Sequence, residues 1–181
     1  MSVVAVFVGM PGSGKTTVGR LVARHLGIEF QDSDAMIEQN QGRSIPEIFA
    51  TDGESGFRTI EAAVIQDALE NYDGILSLGG GAVLTESTRR ALREHPVVLI
   101  DVETEELIRR VTNSSTVRPL LVEDPARKIA ELRAQREPLY REVARHSISS
   151  DEQPVHNVVR LALDVLGHPQ TQLDTGTGAA E

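Results

Sequence analysis

The chain has 181 residues, of which 40% are apolar, carries a net charge of −9 and contains no cysteine. That length buries a real core as one domain, and the missing cysteines exclude disulfides, thiolate metal sites and a cysteine nucleophile. The acidic balance argues against a nucleic-acid surface, no run of about 18 apolar residues could cross a membrane, and no basic leader precedes the first apolar run, so a cytoplasmic protein is expected.

Val3–Val8 is an almost continuous β-branched run, as in a strand buried on both faces. It ends in glycines, and Gly9, Gly14, Lys15 and Thr16 meet the pattern G-x-x-x-x-G-K-[ST]. Each residue type there has a physical job. Gly12, Ser13 and Gly14 let the backbone turn tightly and present successive N–H groups to anionic oxygens. The helix expected over Lys15–Leu26 aims the positive end of its dipole at the same point, through Thr16 and Thr17. Lys15 can reach the β/γ-phosphates, and the Thr16 hydroxyl can sit on Mg²⁺. The pattern predicts a nucleotide phosphate site. Lysine occurs only at Lys15 and Lys128, so nearly all other positive charge is arginine.

Ile28–Phe30 reads as a second strand, followed by Gln31-Asp32-Ser33-Asp34 and a short helix over 35–39. If that stretch stays extended, Asp32 and Asp34 point the same way. Carboxylates beside phosphates suit a cation held through water or a hydroxyl under attack. The plainer alternative is that Ser33 or Asp34 caps the next helix. Ser44-x-x-Glu47 is a capping box opening a helix to about Thr51, and a longer helix follows over 53–70. On it, Arg58 and Glu61 are neighbours. They form either a solvated pair or a guanidinium aimed by a carboxylate, and spacing does not choose between them.

A third strand, Ile75–Leu78, runs into Gly79-Gly80-Gly81, more glycine than a turn needs, which suggests a ligand wall. A helix over 86–94, a strand over Val97–Ile100 and a helix over 103–111 come next. The polar stretch 112–125 reads as a loop, and Arg118 within it suits a lid that brings positive charge to a transferring phosphoryl group. Val97–Asp101 has the shape of a Walker B strand, but Asp32 is an equally short reach, so Asp101 carries little weight. On the helix expected over 126–144, Arg136 lies inside the apolar stripe of Ile129, Leu132, Leu139, Tyr140 and Val143. A buried arginine needs a partner, and gripping an anion is favoured over snorkelling from the stripe's edge. Pro138 should bend this helix. A fifth strand over 147–149 and a last helix over 155–166 complete the domain, 1–167. The remainder, 168–181, has no apolar pattern and is expected to be disordered. The five histidines show no metal spacing.

Strands alternating with helices predict an α/β fold: three layers, with a parallel sheet covered on both faces. Ligands then bind at the carboxyl ends of the strands, where the phosphate loop, Asp32, Asp34 and the triple glycine should meet.

At this point the chain resembles shikimate kinase over nearly its whole length. The resemblance rests on GMPGSGKTTVGR (9–20), DSD (32–34), GRSIPEIFATDGESGFRTIE (42–61), LSLGGGAV (76–83), VRPLL (117–121) and R-x-P-L-Y (136–140). It implies a P-loop kinase fold with a five-stranded parallel sheet, working as a monomer. It also implies transfer of the γ-phosphoryl of ATP to the 3-hydroxyl of shikimate. By the same resemblance Asp34 contacts the ring hydroxyl and can act as base. Arg58 and Arg136 clamp the carboxylate with Glu61 orienting an arginine, Gly80 offers backbone, and Phe49 and Phe57 wall the pocket. Thr16 and Asp32 attend Mg²⁺, Lys15 and Arg118 balance phosphoryl charge, and Arg110 and Pro154 sandwich adenine. Another small-molecule kinase, for gluconate or a nucleotide, is the nearest rival. A GTP-binding switch is the rival from another class, and its N-K-x-D motif does not occur here.

Overall fold

The computed structural model describes residues 3–113 and 124–168. Its sheet has five strands, β1 (Val3–Val8), β2 (Phe30–Asp32), β3 (Gly74–Ser77), β4 (Val97–Asp101) and β5 (His146–Ser149), in the order β2-β3-β1-β4-β5. Every neighbouring pair is parallel. The helices are α1 (Lys15–Leu26), α2 (Ser33–Gln41), α3 (Ile45–Asn71), α4 (Glu86–Leu92), α5 (Thr104–Asn113), α6 (Pro125–Val143) and α7 (Val155–Val165).

Strand alternation sorts the core into two apolar layers. Val6 and Val8 of β1, Leu76 of β3 and Val97 and Leu99 of β4 face Ile65, Leu69, Tyr140 and Val143 of α3 and α6. Ala5 and Phe7, Ile75, and Val98 and Ile100 face Val18 and Val22 of α1 and Val158 and Leu163 of α7. The continuous apolar strands follow, because both faces are covered. A smaller cluster, Ile37, Ile48, Phe57 and Val64, ties α2 to α3 and fixes the wall beside the crevice.

Several elements begin or end a few residues from their expected limits; α2, for example, starts at Ser33 rather than Ala35. β2 starts at Phe30 rather than Ile28, because the Ile28 N–H turns back to the Ala23 carbonyl to close α1, and pairing with β3 begins at Phe30↔Ile75. The two helices expected around residue 52 are both present: they abut across a kink within 45–71, where Gly53 leaves the helical conformation with φ 72°. α6 continues through Pro138 without interruption. The ends of the expected loop are helical: α5 reaches Asn113, and Asp124 caps α6 by accepting from the Arg127 N–H at 3.1 Å. The rest of that loop and residues 169–181 lie outside the described residues. Gly167 and His168 form an ordered end to α7, the His168 N–H donating to the Leu163 carbonyl at 2.9 Å. Among the described residues no helix is long and apolar enough to cross a membrane.

Candidate active site

The carboxyl ends of β1, β2 and β3 open onto one cleft of about 430 Å³. It is lined by the phosphate loop from Pro11 to Thr17, by Asp32 and Asp34, and by Leu78, Gly79 and Gly80. β1 delivers the loop. Gly14 stands at the N-cap of α1 with φ 92°, a left-handed conformation that disfavours a side chain. No side chain caps α1, so its first N–H groups face the cleft as an anion site. Lys15 is buried within this loop, and its ammonium lies 3.5 Å from the Met10 carbonyl, to which it donates.

The Thr16 hydroxyl donates to Asp32 Oδ2 at 3.0 Å and lies 3.1 Å from the Ser77 hydroxyl. Thus Thr16, the second residue of α1, is joined to the ends of β2 and β3. The chain does not stay extended past Asp32. It turns into α2 at Ser33, and the cap is Asp32 itself, whose Oδ1 accepts from the Asp34 N–H at 3.0 Å. Asp32 therefore spends one carboxylate oxygen on the helix and the other on Thr16, while Asp34 enters the cleft from the first turn of α2. Ser33 points elsewhere: its hydroxyl accepts from the Gly79 N–H at 2.9 Å and locks the start of α2 to the glycine turn. Burial raises the Asp34 carboxyl above the ordinary carboxylate range, the neighbouring Asp32 adds to this, and Lys15 opposes it.

The glycine turn is packed against both charged groups. A Cβ at Gly79 would stand 2.6 Å from Asp34 Oδ1, and one at Gly81 would collide with the Arg58 guanidinium, 2.7 Å from Nη1. Arg58 donates to Glu61 Oε2 at 2.6 Å, and Glu61 is only 1% exposed, so this is no solvated surface pair. Burial raises the Glu61 carboxyl, with Arg58, and more weakly Arg136, pulling it back. Arg136 is 9% exposed on α6, and its Nε, like that of Arg58, has no hydrogen-bond partner. Both guanidinium groups also act on the Tyr140 phenol, which burial pushes up to about 12. A buried and a half-buried cation, each with an unused donor, thus face one region beside the glycine turn. Phe57 lies beneath Arg58, 5.1 Å from the ring centre, and Phe49 stacks on Phe57 at 4.5 Å with its outer face exposed.

Arg110 reaches across from α5. It donates to Glu106 at 2.7 Å, to the Ser13 carbonyl at 3.2 Å, and to the Ser150 hydroxyl and carbonyl at 3.1 and 2.6 Å. Pro154 is exposed at the start of α7. Asp101 is engaged by Arg133 and Arg141 of α6 and stands apart from the cleft lining. Arg118 lies outside the described residues.

Ser33, Ser77 and Tyr140 were not among the site residues expected from the sequence. Tyr140 had a signal, four residues after Arg136 and so on its face of the helix. The serines had none, because their bonds to Gly79 and Thr16 join residues 46 and 61 positions apart.

A sequence model of the shikimate kinase family matches residues 11–167. Shikimate kinase of Mycobacterium ulcerans (strain Agy99) is 48% identical over 180 residues, covering 97% of each chain. Among solved structures, shikimate kinase from Acinetobacter baumannii in complex with shikimate has a TM-score of 0.81 and 38% identity, over 90% of this chain and 92% of that one. Shikimate kinase from Aquifex aeolicus has a TM-score of 0.77 and 33% identity, over 90% and 96%. Likeness in sequence and in structure spans both the phosphate loop and the arginine-lined end of the cleft, so the chain belongs to the shikimate kinase family.

Proposed function

We infer that the protein transfers the γ-phosphoryl group of ATP to the 3-hydroxyl of shikimate, yielding shikimate 3-phosphate and ADP on the route to aromatic amino acids, and does so as a cytoplasmic monomer. The observation that carries this reading is the placement of Arg58 and Arg136. Arg136 is buried and Arg58 half-buried, both have an unused Nε, and both act on Glu61 and Tyr140 beside the phosphate cleft. Two converging guanidinium groups suit an acceptor with one carboxylate. The relative from A. baumannii, which binds shikimate, supports the same acceptor.

In this reading the N–H groups of Gly12 to Thr17 and the Lys15 ammonium hold the nucleotide phosphates. Arg58, Arg136 and the glycine turn hold the acid, with Phe57 and Phe49 as the apolar side. Asp34 accepts the hydrogen bond of the attacking hydroxyl, and can take its proton. Phosphoryl transfer asks mostly for alignment and charge balance, and Lys15 and Arg118 supply the positive charge. Arg110 and Pro154 flank the base.

The hydroxyl of Thr16 and the carboxylate of Asp32, 3.0 Å apart, form a hard oxygen pair that fits Mg²⁺. Among the described residues no cluster of three His, Cys, Asp or Glu could hold a metal alone. Such an ion therefore depends on phosphate oxygens and water for its remaining ligands, and when bound it neutralises phosphate charge.

The deciding experiment measures ADP release with shikimate, gluconate and nucleoside monophosphates as acceptors, with and without a chelator. Turnover with shikimate, abolished by the chelator, is expected. Turnover with gluconate and none with shikimate ends this reading.

A further inference from the structure

The glycine turn has three carbonyls, and two are satisfied within the turn. Gly79 O accepts from the Ala82 N–H and Gly81 O from the Leu84 N–H, each at 3.0 Å. The middle one, Gly80 O, accepts instead from the Tyr140 hydroxyl at 2.5 Å. Tyr140 is 2% exposed and sits one helical turn beyond Arg136 on α6. Its phenol is pushed up to about 12 by burial, so it remains a donor throughout the neutral range.

That single bond has leverage. Glycine backbones have the most freedom to rotate, and no side chain at 79–81 can anchor the turn. Fixing Gly80 O fixes the plane of the Gly80–Gly81 peptide. Among the described residues no peptide bond is cis, so the Gly81 N–H is set opposite to that carbonyl. The N–H groups of Gly80 and Gly81 have no hydrogen-bond partner among the described residues. They are the donors left for a ligand. The same helix face that presents Arg136 therefore also sets the direction of these donors.

We propose that Tyr140 is a positioning residue, whose buried hydroxyl holds the Gly80–Gly81 peptide in register with Arg136 so that the glycine wall and the arginine grip the acid substrate together. The inference rests on the reading of this cleft as a shikimate site. It assigns Tyr140 no contact with the reacting atoms. Its effect should fall on the acid and spare the nucleotide, because the phosphate loop shares no bond with Tyr140.

The test compares wild type with Tyr140→Phe, which keeps the ring and removes the donor. The KM values for shikimate and ATP are measured separately, with calorimetric titration of shikimate alone. A rise of about 10-fold or more in the shikimate KM and Kd, with the ATP KM within about twofold, is expected from loss of a buried hydrogen bond. An unchanged shikimate Kd, or equal losses for both substrates, overturns the proposal, whatever happens to thermal stability. A second measurement needs no variant. In ¹⁵N-labelled wild type, shikimate should shift the Gly81 amide resonance and slow its hydrogen exchange, and an unmoved resonance overturns the proposal too. Wild type that neither binds nor turns over shikimate refutes the underlying function and the inference with it. Active wild type with an unaffected Tyr140→Phe variant refutes the inference alone.

Discussion

Arg58 Nη1 donates to Glu61 Oε2 at 2.6 Å, and the carboxylate it reaches is sealed from water to within 1%. Three residues apart on α3, the two could have been an ordinary helix-surface pair worth a few tenths of a kcal/mol. Burial changes the arithmetic, since a charge removed from water must be matched. Glu61 fixes where the guanidinium points, and leaves the Arg58 Nε free for another anion.

The same burial gives Glu61 a pH signature. Its folded-state carboxyl is raised above the ordinary range, chiefly by burial. The folded protein therefore holds this proton more tightly than the unfolded chain. The contribution is fully present below the unfolded value and is lost as pH rises through the raised one. Glu61→Gln keeps the neutral form, so its stability relative to wild type is predicted to improve as pH goes from about 4 to 7. Urea midpoints for both proteins across that range check this, and a pH-independent difference contradicts it.

Arg136 is predicted to serve the acid alone. It is buried on α6 with an unused Nε, away from the phosphate-loop lining. Arg136→Ala should weaken shikimate binding by about 2–5 kcal/mol, the usual loss on truncating one member of a buried charge pair. ATP affinity should stay near wild type. Titration of each ligand separately decides, and comparable losses for both would move Arg136 out of the acid site.

Asp34 stands in the cleft within van der Waals reach of Gly79, its carboxyl raised by burial and by Asp32. Asp34→Asn preserves shape and removes the acceptor charge. It is predicted to keep the fold and most of the shikimate affinity while kcat drops by about 10²–10⁴-fold, the range for loss of a general base. Thermal melts and single-turnover rates test the two halves. A kcat close to wild type would take Asp34 out of the chemistry.

Arg110 and Ser150 form a clasp on the phosphate loop. Arg110 and the Ser150 hydroxyl both donate to the Ser13 carbonyl at 3.2 Å. Arg110→Ala removes charged hydrogen bonds worth about 1.5–3 kcal/mol each. The predicted result is a rise of about 10-fold or more in the KM for ATP, with little change for shikimate. The opposite pattern would place Arg110 in the acid site.

What could be read from the chain alone was whatever its neighbours along the sequence decide. The phosphate-loop motif is eight contiguous residues, 9–16, and its turn, helix start and lysine need no distant partner. The strands showed themselves because burial on both faces demands an unbroken apolar run. The capping box at Ser44 and Glu47 is likewise local, and both of its bonds form. Composition and the absence of cysteine removed whole classes of chemistry.

Tertiary structure decided the rest, wherever two readings differed only in burial or in a distant contact. Glu61 became a buried partner for the half-buried Arg58 because the glycine turn packs against both. Asp32 became the helix cap, and Asp34 the cleft residue, because pairing between β2 and β3 ends at Asp32↔Ser77 and the chain must turn there. Ser33, Ser77 and Tyr140 acquired roles from partners 46 to 61 positions away. Local pattern records conformational preference and periodicity. The free energy of a buried charge or a buried carbonyl depends on what folding brings against it, and no short window of sequence contains that.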